Sequence, residues 1–395
     1  MSLLLRDGLL PEGGRADLLL TDGRIARIAP AGTLAPDGAE VRDLGGLLVL
    51  PGLVEGHIHL DKTLLGLPWM PHLPGGTVPA RIEAEKRLRR DLALPIGARA
   101  EVLLGRCHRH GVVAMRCHVD IDDEVGVRGV EALLEVRERW RDRIDIQLVA
   151  FPQSGILRQQ RTAELMEEAL RLGVEVVGGL DPAGYDGDIE GHLDVVFGLA
   201  LRHGRMIDIH LHDFAELGAF ELRRIAERSA AAGMQGMVAV SHAFALGGLD
   251  PVTFGRTAEA LASGGVAIMT AVPGPVPMPP VEPLTAAGVV VFAGSDNIRD
   301  AWSPLGNGDP LDRARLVAWR QGFGTDEQLE LAFAMVTEKA AKVLGLPGWG
   351  VREDASGNLL ALKAAHVAEA VAECPARAVI ARAALGPSGF STSQM

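Results

Sequence analysis

The sequence predicts an α/β fold: a (β/α)8 TIM barrel carrying a small β-sandwich domain formed by both chain termini. Three observations predict it. Eight short apolar or β-branched runs alternate with longer amphipathic stretches over about 250 residues, the pattern of a strand–helix barrel. Strand-like segments flank that alternation at both ends of the chain. No GxGxxG turn follows an early strand, so a doubly wound sheet lacks its usual phosphate-binding signature.

The elements follow in order. "RADLLLTDGRIARIAP" (15–30) reads as two strands joined at Asp22-Gly23, a dipeptide suited to a tight hairpin. The apolar run Leu47–Val54 leads into "PGLVEGHIHLDKTLLG" (51–66) and forms the first barrel strand. The next runs are 111–120, 144–153, 174–182, 206–213, 237–243, 265–272 and 289–297. Between them lie helix-like segments such as "TAELMEEALRLG" and "GAFELRRIAERSAAAG", several ending in Gly. "EAEKRLRR", within Arg81–Arg90, reads as a solvated helix face. The Pro-rich patch Ala271–Pro283 reads as an ordered loop. "ASGNLLALKA" (355–364) and "RAVIARAAL" (377–385) return to strand character. The expected division is 1–50 plus 345–395 for the small β domain and 51–344 for the barrel.

Composition narrows the function. The chain has 395 residues, 48% of them hydrophobic, with a net charge of -12. An acidic chain argues against nucleic acid or an anionic membrane as the main partner. Cys107, Cys117 and Cys374 are an odd three with no CxxC spacing, so a reducing cytoplasm is the expected compartment. "MSLLLRDGLLPEGG" is broken by Arg6 and Asp7 and does not read as a signal peptide. No run approaches the ~18 apolar residues of a membrane helix.

The strand ends are conspicuously polar. His57 and His59 sit at i and i+2 and so share one face of a strand. Further along come His118 and Asp120, Phe151 and Gln153, Asp181, then His210, His212 and Asp213, His242, and Asp296 with Asn297. Six of the twelve histidines lie at these ends, where barrel chemistry is built. Converging imidazoles point to a metal. The fourth strand has no Lys to bridge two ions. A single ion held by His57, His59, His210 and Asp296 is therefore expected, and nitrogen with carboxylate ligands suits Zn or Fe.

The motifs "GLVEGHIHLDKT", "VAFPQSGIL", "EEALRLGVEVVGG", "MIDIHLHD", "VSHA" and "AGSDNIRDAWSPLG" together resemble the amidohydrolase superfamily, in particular the bacterial cytosine deaminases and the s-triazine aminohydrolases. The resemblance spans nearly the whole chain. It implies one divalent metal that activates water. His242 would position that water, and Asp296 would serve as ligand and base. It also implies Gln153 as reader of a ring amide edge, with Phe151 and Trp302 lining the ring pocket. Asp213 stands where those deaminases carry a proton-shuttling Glu, and Asn297 where they carry a substrate-binding Asp.

Plainer readings stand beside these. Asp213 also suits a helix N-cap for the segment 215–233. Asp181 before Pro182 suits either substrate contact or a turn. Asp120, Asp122 and Asp123 read as loop and capping residues, Lys62 as an ion-pair partner of Asp61, and Cys117 as buried strand filler. Trp69 is left between pocket wall and core. The expected activity is metal-dependent hydrolytic deamination of an amino-substituted nitrogen heterocycle. Cyclic amide or lactam hydrolysis, N-alkylamino-triazine hydrolysis and a non-catalytic binding role are the alternatives. The expected partners are a small heterocyclic substrate and further copies of the chain in a homo-oligomer, with no nucleic acid and no membrane.

Overall fold

A computed structural model describes residues 2–72, 76–272 and 274–382. Residues 383–385 of the expected last strand, 383–395 of the expected terminal unit and Pro273 of the expected loop lie outside the described residues.

The chain opens with β1 (Ser2–Leu9), β2 (Arg15–Thr21), β3 (Arg24–Pro30), β4 (Glu40–Asp43) and β5 (Leu48–Pro51). Eight barrel strands follow: β6 (Leu53–Ile58), β7 (Val112–Asp120), β8 (Asp145–Phe151), β9 (Val176–Leu180), β10 (Met206–Leu211), β11 (Val238–His242), β12 (Val266–Thr270) and β13 (Val291–Ala293). β14 (Leu359–Leu362) and β15 (Arg377–Ala381) come last. The terminal strands form one seven-stranded sheet in the order β15-β14-β5-β1-β2-β3, with β4 beside β1. Both chain ends therefore meet in one sheet. Its hairpin turns at Asp22 and Gly23, which take φ of 49° and 77°, as the Asp-Gly pair foretells.

The barrel sheet runs β6 to β13 in chain order, every neighbouring pair parallel. Its helices pack outside, and Asp188, Asp250 and Asp309 cap three of them by accepting backbone N–H groups. Among the described residues no helix is long and apolar enough to cross a membrane.

The eighth strand is shorter than the run 289–297 suggests, covering only Val291–Ala293. Beyond it the chain bends, and Asp296 N–H donates to His57 O at 2.8 Å, making a parallel bridge between Ile58 and Asp296. Two glycines permit this seam. A Cβ on Gly56 would lie 2.5 Å from Ala293 O, and one on Gly294 would lie 2.5 Å from His57 N. Any other residue at either place would force the first and eighth strands apart.

Gly56→Ala should therefore destabilise the fold by about 1–3 kcal/mol, the cost of overpacking a tight site. Gly198→Ala is the control. It lies in the helix Ile189–His203 with nothing within 4 Å of the added Cβ, and Ala is the better helix former. Thermal melts should show the midpoint falling for the first variant and holding or rising for the second; equal midpoints would show that the seam tolerates a side chain.

Candidate metal centre and active site

The centre grows from the end of β6. Glu55, His57 and His59 alternate along the chain and so share a face, and all three are buried. Glu55 is the residue that sequence reasoning missed, although the i, i+2, i+4 pattern carried the signal. Its carboxylate accepts N–H from His57 (3.2 Å) and Ser295 (2.7 Å) and the Ser295 hydroxyl (2.6 Å). It ties the first strand to the loop bearing Asp296. Burial pushes its pKa up, against those hydrogen bonds.

Ligand atoms of His57, His210, His242 and Asp296 all lie within 4.8 Å of one another. This tight set contains His242 where the sequence suggested His59. His59 Nε2 instead joins through Asp296 Oδ1 at 3.3 Å, beside His57 Nε2 at 3.6 Å. Burial lowers the His59 pKa to about 3, with Lys62 adding to the effect. Burial and neighbouring imidazoles hold His210 well below the usual range, and burial does the same at His242. Burial opposes ionisation of Asp296, but the His57 and His59 rings close beside it outweigh that and hold the carboxyl well below its usual range. His59, His210 and His242 are thus neutral, the form that binds a metal.

The donor set fits a divalent ion on its own terms. His57 Nε2 and both ring nitrogens of His210 are buried with no hydrogen-bond partner, an arrangement that is costly for polar atoms unless something binds them. Backbone strain collects here too, with φ of 77° at His242, 59° at Asp296 and 36° at Asp181. Such conformations cost energy in non-glycine residues and gather at functional sites.

His118 carries no assigned role in the sequence reading. It stacks on His57 with centroids 3.8 Å apart, buried, with neither ring nitrogen hydrogen-bonded. Phe151 stacks on His210 at 4.0 Å, which places it against the centre.

Around the mouth, Lys62 organises the polar groups. Its buried ammonium pairs with Asp120 at 2.9 Å and Glu85 at 3.4 Å and donates to Gln153 Oε1. It sits 5.4 Å from the Phe151 ring centre and 5.5 Å from that of Trp302. The expected Lys62–Asp61 brace is corrected: Asp61 accepts the Asp120 N–H instead. Asp120 is correspondingly an ion-pair residue, while Asp122 does serve its loop, accepting from the Glu124 and Val125 amides. The helix Val78–Arg90 is not wholly a solvated face, for Glu85 is buried and accepts the Trp302 indole N–H at 2.7 Å. Trp69 is exposed and stands against the Arg299 guanidinium, so it is not core. Asn297 donates to Asp300 at 2.7 Å, and burial raises the Asp300 pKa to about 7, with Glu85 adding to it.

Asp181 accepts both the backbone N–H (2.6 Å) and ring Nδ1 (2.9 Å) of His212, and His212 stacks on His242 at 4.6 Å. Asp213 is turned elsewhere. It accepts the Gly184 N–H at 2.9 Å and hydrogen-bonds Glu221, whose pKa burial raises to about 8, with Asp213 and Asp181 contributing. It is not an N-cap, since the helix Ala215–Ala231 starts after Phe214 without a side-chain cap. These two bonds make Asp213 an anchor of the loop after β9.

Comparison with known proteins places this arrangement. A sequence model described as "Amidohydrolase family" matches residues 40–381. The crystal structure of N-isopropylammelide isopropylaminohydrolase from Burkholderia multivorans ATCC 17616 superposes with a TM-score of 0.92 at 39% identity, covering 97% of this chain and 99% of that one. The 5-methylcytosine deaminase of Klebsiella pneumoniae, liganded with 5-fluorocytosine, gives 0.85 at 28% identity over 97% of each chain. N-isopropylammelide isopropyl amidohydrolase of Pseudomonas sp. (strain ADP) is 31% identical over 374 residues, 91% of this chain and 90% of its own. The chain belongs to the amidohydrolase family and is a hydrolase of carbon–nitrogen bonds.

Proposed function

We propose that this hydrolase removes an N-alkylamino or amino substituent from a small oxo-substituted nitrogen heterocycle, using one divalent metal. The observation that carries this reading is the set of unpartnered imidazole nitrogens converging with Asp296 at the strand ends. The likeness to an isopropylaminohydrolase at 39% identity puts an N-alkylamino leaving group first. The likeness to a cytosine-type deaminase keeps ammonia as the second reading.

His57, His210 and Asp296, with His59 or His242, would hold the ion, and Zn or Fe suits these ligands. The ion would supply a Lewis acid that makes water nucleophilic near neutral pH. The side chains do the rest. His242 orients the attacking water, and Asp296 takes its proton and then gives that proton to the departing amine nitrogen as the carbon–nitrogen bond breaks. Gln153 has its Oε1 occupied by Lys62, which leaves its amide N–H groups free to donate. Asn297 has its Nδ2 occupied by Asp300, which leaves its Oδ1 free to accept. The pair suits the C=O and N–H of a ring amide. Phe151, Trp302 and the Lys62 ammonium supply flat walls for such a ring. Asp181 fixes His212 beside His242 and acts on substrate only through it.

Three outcomes test this reading. Protein loaded with Zn, Fe or Mn should release amine or ammonia from a panel of amino-heterocycles, N-alkylaminotriazines among them, and chelation should abolish the release until metal returns. Release of neither product by metal-replete protein would defeat the proposal. Asp296→Ala should lose both bound metal and turnover, so an active Asp296→Ala enzyme would remove Asp296 from the centre. Asp213→Asn should keep kcat within about tenfold, with its main effect on thermal stability. A loss on the order of 10²–10⁴, the scale of a missing general acid, would restore Asp213 as a proton shuttle.

A further inference from the structure

A buried polar chain runs through the barrel beneath the centre, and the activity proposed above makes no use of it. Arg116, on β7, is among the largest fully buried side chains. Its guanidinium donates to Asp208 Oδ2 at 2.8 Å, to Gln147 Oε1 at 2.8 Å and to Val343 O at 2.9 Å. Asp208, on β10, accepts the Ser241 hydroxyl at 2.7 Å through its other oxygen. Ser241, on β11, lies 3.0 Å from His57 Nδ1. Four barrel strands thus contribute one link each.

We propose that Arg116, Asp208 and Ser241 are positioning residues that lock His57 in the tautomer carrying its proton on Nδ1, so that Nε2 is a bare electron pair aimed at the metal. The direction of every proton in the chain follows from its fixed end. Arg116 stays protonated and can only donate. Asp208 beside it is a carboxylate and can only accept. The single proton of Ser241 is committed to Asp208, so its oxygen has only lone pairs left for His57. His57 Nδ1 must then be the donor. Nε2 carries no proton, has no hydrogen-bond partner and lies 3.6 Å from Asp296 Oδ1.

The opposite tautomer would need the Ser241 proton to turn towards His57. That would leave a buried carboxylate oxygen of Asp208 without its donor, a costly state for a charged group. His118 cannot substitute, because its Nε2 is 3.8 Å from Asp208 Oδ2, too far for a hydrogen bond. Partners of this kind, one step removed from a metal, typically change its affinity by about 10–100-fold.

This inference rests on the metal reading, and the experiment separates the two. Zinc and cobalt dissociation constants are measured by competition with a chromophoric chelator for the unsubstituted protein, Ser241→Ala, Asp208→Asn and the double variant. Melting of the metal-free proteins reports folding. Ser241→Ala removes one oxygen and should weaken binding about 10–100-fold. Asp208→Asn should do likewise, and the double variant should be no more than about threefold weaker than the poorer single variant, since both cut one chain. Nitrogen shifts of ¹⁵N-histidine-labelled metal-free protein should show one ring passing from the Nδ1–H form to a mixture of tautomers in Ser241→Ala.

Ser241→Ala affinity within twofold of the unsubstituted protein would overturn the inference, as would fully multiplicative losses in the double variant. If Asp208→Asn does not fold, Ser241→Ala with its tautomer spectrum decides alone. Absence of metal binding by the unsubstituted protein would instead overturn the metal reading itself.

Discussion

Everything at the centre depends on how closely the first and eighth strands approach. Gly56 and Gly294 leave no Cβ between them, so the Asp296 amide reaches the His57 carbonyl at 2.8 Å. That single backbone bond places a carboxylate from the last strand beside two imidazoles from the first. Glu55 secures the same seam from within by accepting from both His57 and Ser295. A charged ligand on the loop after β13 is thus held by backbone and by buried side chains.

Charge balance then says what the assembly is for. Two imidazolium groups about 4 Å apart would repel by about 4 kcal/mol at an effective dielectric constant of about 20. His57, His118, His210 and His242 have centroids between 3.8 and 5.5 Å apart in the pairs His57–His118, His57–His210, His57–His242 and His210–His242. They coexist because burial keeps His118, His210 and His242 neutral. Asp296 is held ionised among them. Neutral nitrogen donors around one half-buried carboxylate form a site short of positive charge, which a divalent cation would supply. Beneath it, the buried charge of Arg116 is met by Asp208.

The barrel was legible in the sequence because it is periodic. Alternating runs mark strands, and polar residues ending those runs mark the mouth. The seam glycines, Glu55 and the Arg116 chain were not, because their meaning lies in contacts between distant strands. Arg116 meets Asp208 across 92 residues and Val343 across 227, and nothing local in "GVVAMRCHVD" sets Arg116 apart from an outward-facing strand residue. Lys62 shows the same limit. Its neighbour Asp61 looked like the obvious partner, yet Asp61 accepts the Asp120 amide and the ammonium turns to Asp120 and Glu85. Asp213 illustrates the converse. Its spacing from His210 suggests a proton shuttle, while the Gly184 amide and Glu221 carboxyl, both brought near by the fold, claim its oxygens.

These two kinds of residue divide the labour of the site. The metal ligands sit at or just beyond the ends of barrel strands, and the Asp296 amide is tied back to the first strand. The groups suited to reading a ring come from elsewhere: Glu85 from the helix Val78–Arg90, Asn297, Asp300 and Trp302 from the loop after β13, and Lys62 from the turn after β6. Those segments are tied to one another through Lys62, Glu85 and Trp302, and to the barrel through Gln153, Asp120, Phe151 and the bonds of Ser295 to Glu55. Under the proposed function, one hydrolytic centre of this construction can serve either an alkylamino or an amino leaving group, and the Lys62 network is the part of this chain suited to telling rings apart.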